Sequence, residues 1–273
     1  IPMIGYLFWR YDRPGGGDDK SAEDVAEHCV ELHETLGINA MKLKAGVETP
    51  EEEARVLELC RLKLGDDFGL RIDPNGLWSV ATAVKIGRRL EPLSIEYFED
   101  PSWGLEGNAA VRSQVRIPIA TNMYPSKFDD LGPAIRLGAV DVVLTDLHYW
   151  EGPKGVKDLC AVCKTFNLGI AMHSGAEFGV ELAAMLHTAA TIPSMTFAGD
   201  AHYHYLVDDI IQGGKMAYNN GCIKVPDGAG LGVELDEDKM EFYEKYYLQK
   251  GDYYARYHQD PRRPDWYPMV GGL

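Results

Sequence analysis

Seven side chains able to do acid–base or metal chemistry recur along this sequence at nearly even spacing: Lys42 and Lys44, Asp73, Glu99, Asn122, Asp146 and His173. From Lys42 the intervals are 31, 26, 23, 24 and 27 residues, each the length of one strand–helix unit, so all would reach one rim of a repeating fold. Lys42 and Lys44 flank Leu43 in a run whose side chains alternate, so both ammonium groups share one face while Met41 and Leu43 take the other. Adjacent ammonium groups disfavour each other's charged form, which brings one toward the range of a general base. Asp73, Glu99 and Asn122 offer oxygen ligands from three consecutive strands, a hard and partly open set that suits Mg²⁺. Asp146 can hold one nitrogen of His173 while the other faces the centre, placing a second base opposite the lysines. His148 shares a face with Asp146 and is its rival; His173 is favoured because small residues, Ser174 and Gly175, follow it.

Singly, each residue has a plainer reading. Asp73 before Pro74 suits a turn, Glu99 and Asp100 before Pro101 suit the start of a loop, Asn122 suits a helix cap, and the lysine pair suits a solvated edge. Their register on neighbouring strands gives them a joint chemical meaning.

The elements that must position them follow from the apolar pattern. Short β-branched runs, at Ile4–Trp9, Ala40–Lys44, Gly69–Asp73, Ile95–Glu99, Ile117–Thr121, Val140–Thr145, Gly169–His173 and Met195–Ala198, alternate with amphipathic runs. The latter include Ser21–Leu36, Thr49–Leu64, Ser79–Leu90, Phe128–Leu137, Val156–Phe166 and Glu177–Ala190, several opened by a Ser or Thr that can cap a helix. Eight strands with intervening helices in 273 residues predict an α/β fold of (β/α)₈ TIM-barrel type, whose active site lies at the C-terminal strand ends. An open doubly wound sheet is the alternative, but no glycine-rich phosphate fingerprint follows the first strand. The expected organisation is a catalytic barrel over residues 1–204 and a Gly-, Tyr- and Pro-rich segment over 205–273 that packs on it.

The net charge of −15 argues against nucleic acid or an anionic membrane surface as partner, and favours a small-molecule substrate held by local lysines or a metal. No apolar run is long enough to span a bilayer and no signal-peptide pattern opens the sequence, so a cytoplasmic protein is expected. The five cysteines predict no disulfide framework. Cys160 and Cys163 form a lone CxxC inside a helical run, where packing is the simpler role than metal or redox chemistry. His202 with His204 has the spacing of a zinc pair, but zinc is not the expected role, since the metal-binding HxH of a barrel hydrolase sits on the first strand and this first strand offers none.

At MKLKAG, DPNGLWS, YFEDP, ATNM, DVVLTDLHYW and GIAMHS, between Ile38 and Asp236, the sequence resembles the enolase superfamily, and within it the glucarate dehydratase group. The superfamily's known chemistry is a Lys or His base working with Mg²⁺ that stabilises an enediolate. The resemblance implies that Asp73, Glu99 and Asn122 bind Mg²⁺, that Lys44 is the base on one face of the substrate, and that Lys42 polarises its carboxylate. It further implies that His173, oriented by Asp146, is the base on the other face and the proton donor to the departing β-hydroxyl, and that Asn75 contacts substrate. The implied activity is dehydration of an acid sugar to a keto-deoxy acid. An epimerase or racemase using the same two bases, and a catalytically silent barrel kept as a binding protein, are the alternatives.

Two departures from the resemblance stand out. The superfamily's N-terminal α+β capping domain has no counterpart here, and the run after His173 (Ser174-Gly175-Ala176-Glu177-Phe178) is poorer in Asn than expected, which places recognition of the distal end of the substrate in doubt. Enzymes of this kind commonly form homo-oligomers, and the tyrosine-rich tail from Tyr243 to Tyr257 is a candidate contributor.

Overall fold

A computed structural model describes residues 1–10, 19–175 and 177–250. Seven parallel strands form one sheet in chain order: β1 (Gly5–Leu7), β2 (Ala40–Lys44), β3 (Gly69–Asp73), β4 (Tyr97–Glu99), β5 (Ile119–Thr121), β6 (Val142–Thr145) and β7 (Gly169–Met172). Between them run α1 (Ala22–Leu36), α2 (Pro50–Leu64), α3 (Val80–Leu90), α4 (Gly104–Arg112), α5 (Phe128–Leu137) and α6 (Gly152–Thr165), with α7 (Gly179–Ala190) following β7. The caps expected of Ser21, Thr49 and Ser79 form, each accepting a backbone N–H from the first turn of α1, α2 and α3.

The eighth strand departs from expectation. Met195–Ala198 is not a regular strand and bends at Phe197, because its ladder is only two bonds deep on either side. Toward β7, the N–H groups of Thr196 and Asp200 donate to Ile170 and Met172 at 2.9 and 3.0 Å, and the Thr196 hydroxyl, rather than a carbonyl, accepts from Ile170. Toward the chain start, Gly199 donates to Pro2 and accepts from Ile4. These bonds still join β7 to β1 and close the barrel. β4, β5 and β6 start later than their apolar runs, β1 is shorter at both ends and β7 ends one residue early, while β2 and β3 keep the predicted bounds.

Alternation sets which side chains fill the barrel. Met41 and Leu43 pack outward among α1 and α2 residues such as Cys29, Leu57 and Cys60, which turns Lys42 and Lys44 inward. Tyr97, Ala120, Val142, Leu144 and Ala171 make an apolar interior layer with Phe197. Arg71 enters this layer with its guanidinium 4.7 Å from the Tyr97 ring centroid, its Nε donating to Glu96 at 2.6 Å and one Nη to the Ala198 carbonyl at 3.2 Å.

Beyond Tyr205 a hairpin of β8 (Tyr218–Asn219) and β9 (Cys222–Ile223) returns to the N-terminal rim, where Met3 donates to the Gly221 carbonyl at 2.8 Å and Ile1 and Ile223 exchange bonds. The last described helix, α8 (Glu237–Lys250), is tied down by Lys239 and Tyr243, both bonded to Asp208. Of the tyrosine-rich tail, Tyr253, Tyr254 and Tyr257 lie outside the described residues. No helix among the described residues is long and apolar enough to cross a membrane. All five cysteines are free, with Cys160 and Cys163 buried on α6.

Candidate active site

The strand ends converge as their spacing predicts. Lys42 is fully buried and its ammonium donates to Glu99 Oε2 at 2.8 Å and to Asp200. Burial works against its charge, but Asp200 and Glu99 outweigh it and hold the Lys42 pKa well above the ordinary value. The expectation that crowding brings one of the lysines toward a base's range therefore fails for Lys42, whose two carboxylate partners lie closer to its charge balance than its neighbour does. Lys44, nearer the rim and 17 % exposed, donates to Asp73 and to Asn75 Oδ1 at 3.2 Å. Asn75 in turn donates its backbone N–H to Asp73 Oδ1 at 2.8 Å.

The ion-paired carboxylates split in opposite directions. Burial opposes ionisation of Asp73, yet Lys44 and Lys42 keep its pKa low; likewise Lys42 and His173 overcome burial to hold Asp200 well below the usual range. Glu99 is pushed up to about 8 by burial and by the neighbouring Asp73. The site thus holds more buried carboxylate than two ammonium groups neutralise.

Asn122 follows β5 beside Asp100. Asp100, also buried, accepts from the Thr121 hydroxyl at 2.5 Å, the Asn122 N–H at 3.1 Å and the Asn108 amide at 3.4 Å. These bonds fix the Asn122 backbone and leave its Oδ1 buried without a partner, as Glu99 Oε1 also is. Asp73, Glu99 and Asp100 bring carboxylate oxygens within 4.8 Å of one another. Asp73 and Asp100 have both oxygens engaged, whereas the orphaned oxygens of Glu99 and Asn122 are what a small hard cation would satisfy.

On the far wall, Asp146 Oδ1 accepts the N–H groups of His148 and Tyr149 at 2.9 and 2.8 Å, which leaves Oδ2 for His173 Nδ1 at 3.3 Å. Burial would lower the His173 pKa, but the Asp146 and Asp200 carboxylates outweigh it and raise it. His148 instead is 60 % exposed and ion-paired with Glu181 at 2.5 Å, while His173 is the histidine whose side chain meets Asp146. With β2 and β7 separated by β1 and the closing segment on one side and by four strands on the other, Lys44 and His173 flank the mouth from opposite sides.

Residues 24–239 match the family model described as enolase C-terminal domain-like. The chain belongs to the enolase superfamily. It is 40% identical over 258 residues to a Streptomyces coelicolor protein named "Probable glucarate dehydratase", covering 91% of this chain and 59% of that one. It is 28% identical to the arabinonate dehydratase of Saccharolobus solfataricus, over 76% of this chain and 56% of the relative, and 29% identical to muconate cycloisomerase 1 of Rhodococcus opacus, over 81% and 60%. Among solved structures, an enolase from Pseudomonas fluorescens with bound magnesium, potassium and tartrate superposes with a TM-score of 0.89 at 33% identity, covering 99% of this chain and 66% of that one. The chain thus spans about 60% of the length of the curated relatives it matches.

The mouth of this enolase-superfamily barrel also contains residues that the strand-end reading missed. Asp200 bonds both Lys42 and the Tyr6 hydroxyl, and lies with Glu99 and His173 so that one ligand atom of each is within 4.8 Å of the others. His202 packs edge-on to Tyr6 at 3.9 Å, its Nε2 unpartnered and its pKa pushed down to about 3 by burial. His204 faces another way, accepting the Tyr6 N–H at 3.5 Å, and neither histidine joins a metal-ligating group among the described residues. Carrying the alternation of the closing segment two residues past Ala198 would have found Asp200.

Proposed function

We propose that this protein is a Mg²⁺-dependent acid-sugar dehydratase that converts an aldonic or aldaric acid to its keto-deoxy acid. The observation that carries the proposal is the pair of candidate bases, Lys44 bonded to Asp73 and His173 bonded to Asp146, together with the unpartnered buried oxygens of Glu99 and Asn122 as candidate metal donors. The relatives named as dehydratases support this choice among the reactions of the superfamily.

Asp73, Glu99 and Asn122 would hold the Mg²⁺, which supplies positive charge against the substrate carboxylate where negative charge develops as the α-proton leaves. Lys42, locked between Glu99 and Asp200, adds a fixed cation that keeps its proton and so polarises rather than abstracts. Lys44 removes the α-proton on one face, and Asn75, already bonded to its ammonium, binds a substrate hydroxyl beside it. His173 serves the other face: as imidazole it accepts an α-proton, and as imidazolium, held by Asp146, it gives a proton to the β-hydroxyl as the C–O bond breaks and water departs. The enol product then tautomerises to the α-keto acid.

The test is incubation with Mg²⁺ and a panel of aldonic and aldaric acids, following α-keto acid formation with and without EDTA. A Mg²⁺-dependent keto product supports the dehydratase reading. Inversion at the α-carbon with no keto product would replace it by the epimerase, which the same two-sided geometry also serves.

A further inference from the structure

The turn between β2 and α2 carries a buried acid for which the proposed chemistry has no use. After Lys44, the Ala45 N–H extends the ladder to the Asp73 carbonyl at 2.9 Å, and Gly46 then takes φ +85°. A Cβ on Gly46 would lie 2.5 Å from Leu77 Cδ1 and 3.3 Å from the Pro74 carbonyl, so the turn is pressed against the loop that holds Asn75. The next three N–H groups converge on one carboxylate in the first turn of α2. Glu53 Oε2 accepts from Gly46 at 2.9 Å, and Oε1 accepts from Val47 and Glu48 at 2.8 and 3.0 Å.

An acid in the first turn of a helix usually sits on a solvated face beside the positive end of the dipole, as exposed Glu51 does. Glu53 is instead fully buried, forms no ion pair among the described residues, and is pushed up to about 7 by burial despite its three donors, with Glu48 the nearest like charge. A buried carboxylate without a cation is costly, and an apolar side chain would spare that cost. What an apolar side chain cannot do is hold three consecutive N–H groups in one curve.

We propose that Glu53 is a positioning residue for Lys44: by clamping the backbone of residues 46–48 it fixes the point from which the Lys44 side chain reaches the substrate. This rests on the reading of Lys44 and His173 as bases on opposite faces. The clamp reaches only one of them, since the loop after His173 has its own anchors, Glu177 on the Gly175 N–H and Asp209 on the Gly179 N–H. A base displaced by about 1 Å loses on the order of 100-fold in rate, so a loosened clamp acts on one face alone.

The experiment compares wild type with Glu53→Gln, in which an amide NH₂ must face at least one backbone N–H, and with Glu53→Leu, which removes every acceptor. With Mg²⁺ and the two α-epimers of an acid, α-proton exchange in D₂O is read separately for each face, alongside amide exchange at residues 46–48. Expected in Glu53→Gln is at least about tenfold slower exchange on the Lys44 face, His173-face exchange within about twofold of wild type, and faster amide exchange in the turn. Equal loss on both faces, no loss on the Lys44 face, or unchanged amide protection overturns the proposal. If Glu53→Leu fails to fold, Glu53→Gln carries the test. A wild type inert toward every acid overturns the functional reading and this role with it, whereas an active wild type with unselective loss overturns the role of Glu53 alone.

Discussion

The two walls of the mouth hold their charges in different ways. On the lysine wall, β2 and β3 pair over five residues, and their charged groups lie in direct contact: Lys42 with Glu99 and Asp200, Lys44 with Asp73. On the histidine wall, Asp146 is held by two backbone N–H groups and meets His173 at 3.3 Å, with no second ion pair to either residue among the described residues. The first arrangement fixes the charge of Lys42 between two carboxylates. The second suits a group that must gain and lose a proton, since an imidazole starts near neutrality and its pKa is raised by Asp146 first and by Asp200 after it.

The contrast breaks most visibly at Lys42. Lys42→Met leaves Glu99 and Asp200 buried without their shared partner, and should cost about 3–5 kcal/mol in denaturant unfolding. A loss under about 1 kcal/mol would show that the wall is not held by charge. Lys44→Ala and His173→Asn should leave the fold standing yet slow turnover by about 10²–10⁴-fold, measured as keto acid formation.

Removing the metal comes next in size. Mg²⁺ should raise the melting temperature of wild type and EDTA reverse the rise, while Glu99→Gln or Asn122→Leu abolishes the difference. A Mg²⁺ effect that survives both substitutions would move the metal elsewhere.

Asp146→Asn sharpens the comparison through pH. Because the carboxylate raises the His173 pKa, the neutral base is available only as pH climbs through that raised value. Without the Asp146 carboxylate the pKa falls, so the acid limb of His173-face exchange should shift to lower pH. Linkage runs the same way: the pair's contribution to stability is full below the ordinary His value and is lost as pH rises through the folded-state value, and Asp146→Asn should flatten that slope in unfolding curves. Smallest of all, His148→Asn removes an exposed ion pair and should stay within about 0.5 kcal/mol and near wild-type activity.

Even spacing made Lys42, Lys44, Asp73, Glu99, Asn122, Asp146 and His173 legible, because each βα unit of a barrel returns the chain to the same rim. The closing segment was less legible, since a ladder two bonds deep leaves little apolar alternation and Asp200 falls past its last apolar residue. Arg71 shares a face with Asp73 two residues on, but sequence does not reveal that Tyr97 and Phe197 would sheathe its charge. Glu53 was the hardest, because three consecutive acids opening a helix read alike until packing buries one of them.

The most direct test of the account is α-proton exchange in D₂O, face by face, for an acid that the protein turns over. The account predicts that Lys44→Ala abolishes exchange on one face and His173→Asn on the other, each leaving the opposite face close to wild type. If either substitution silences both faces, or neither silences any, Lys44 and His173 are not opposed bases and the proposed chemistry is wrong.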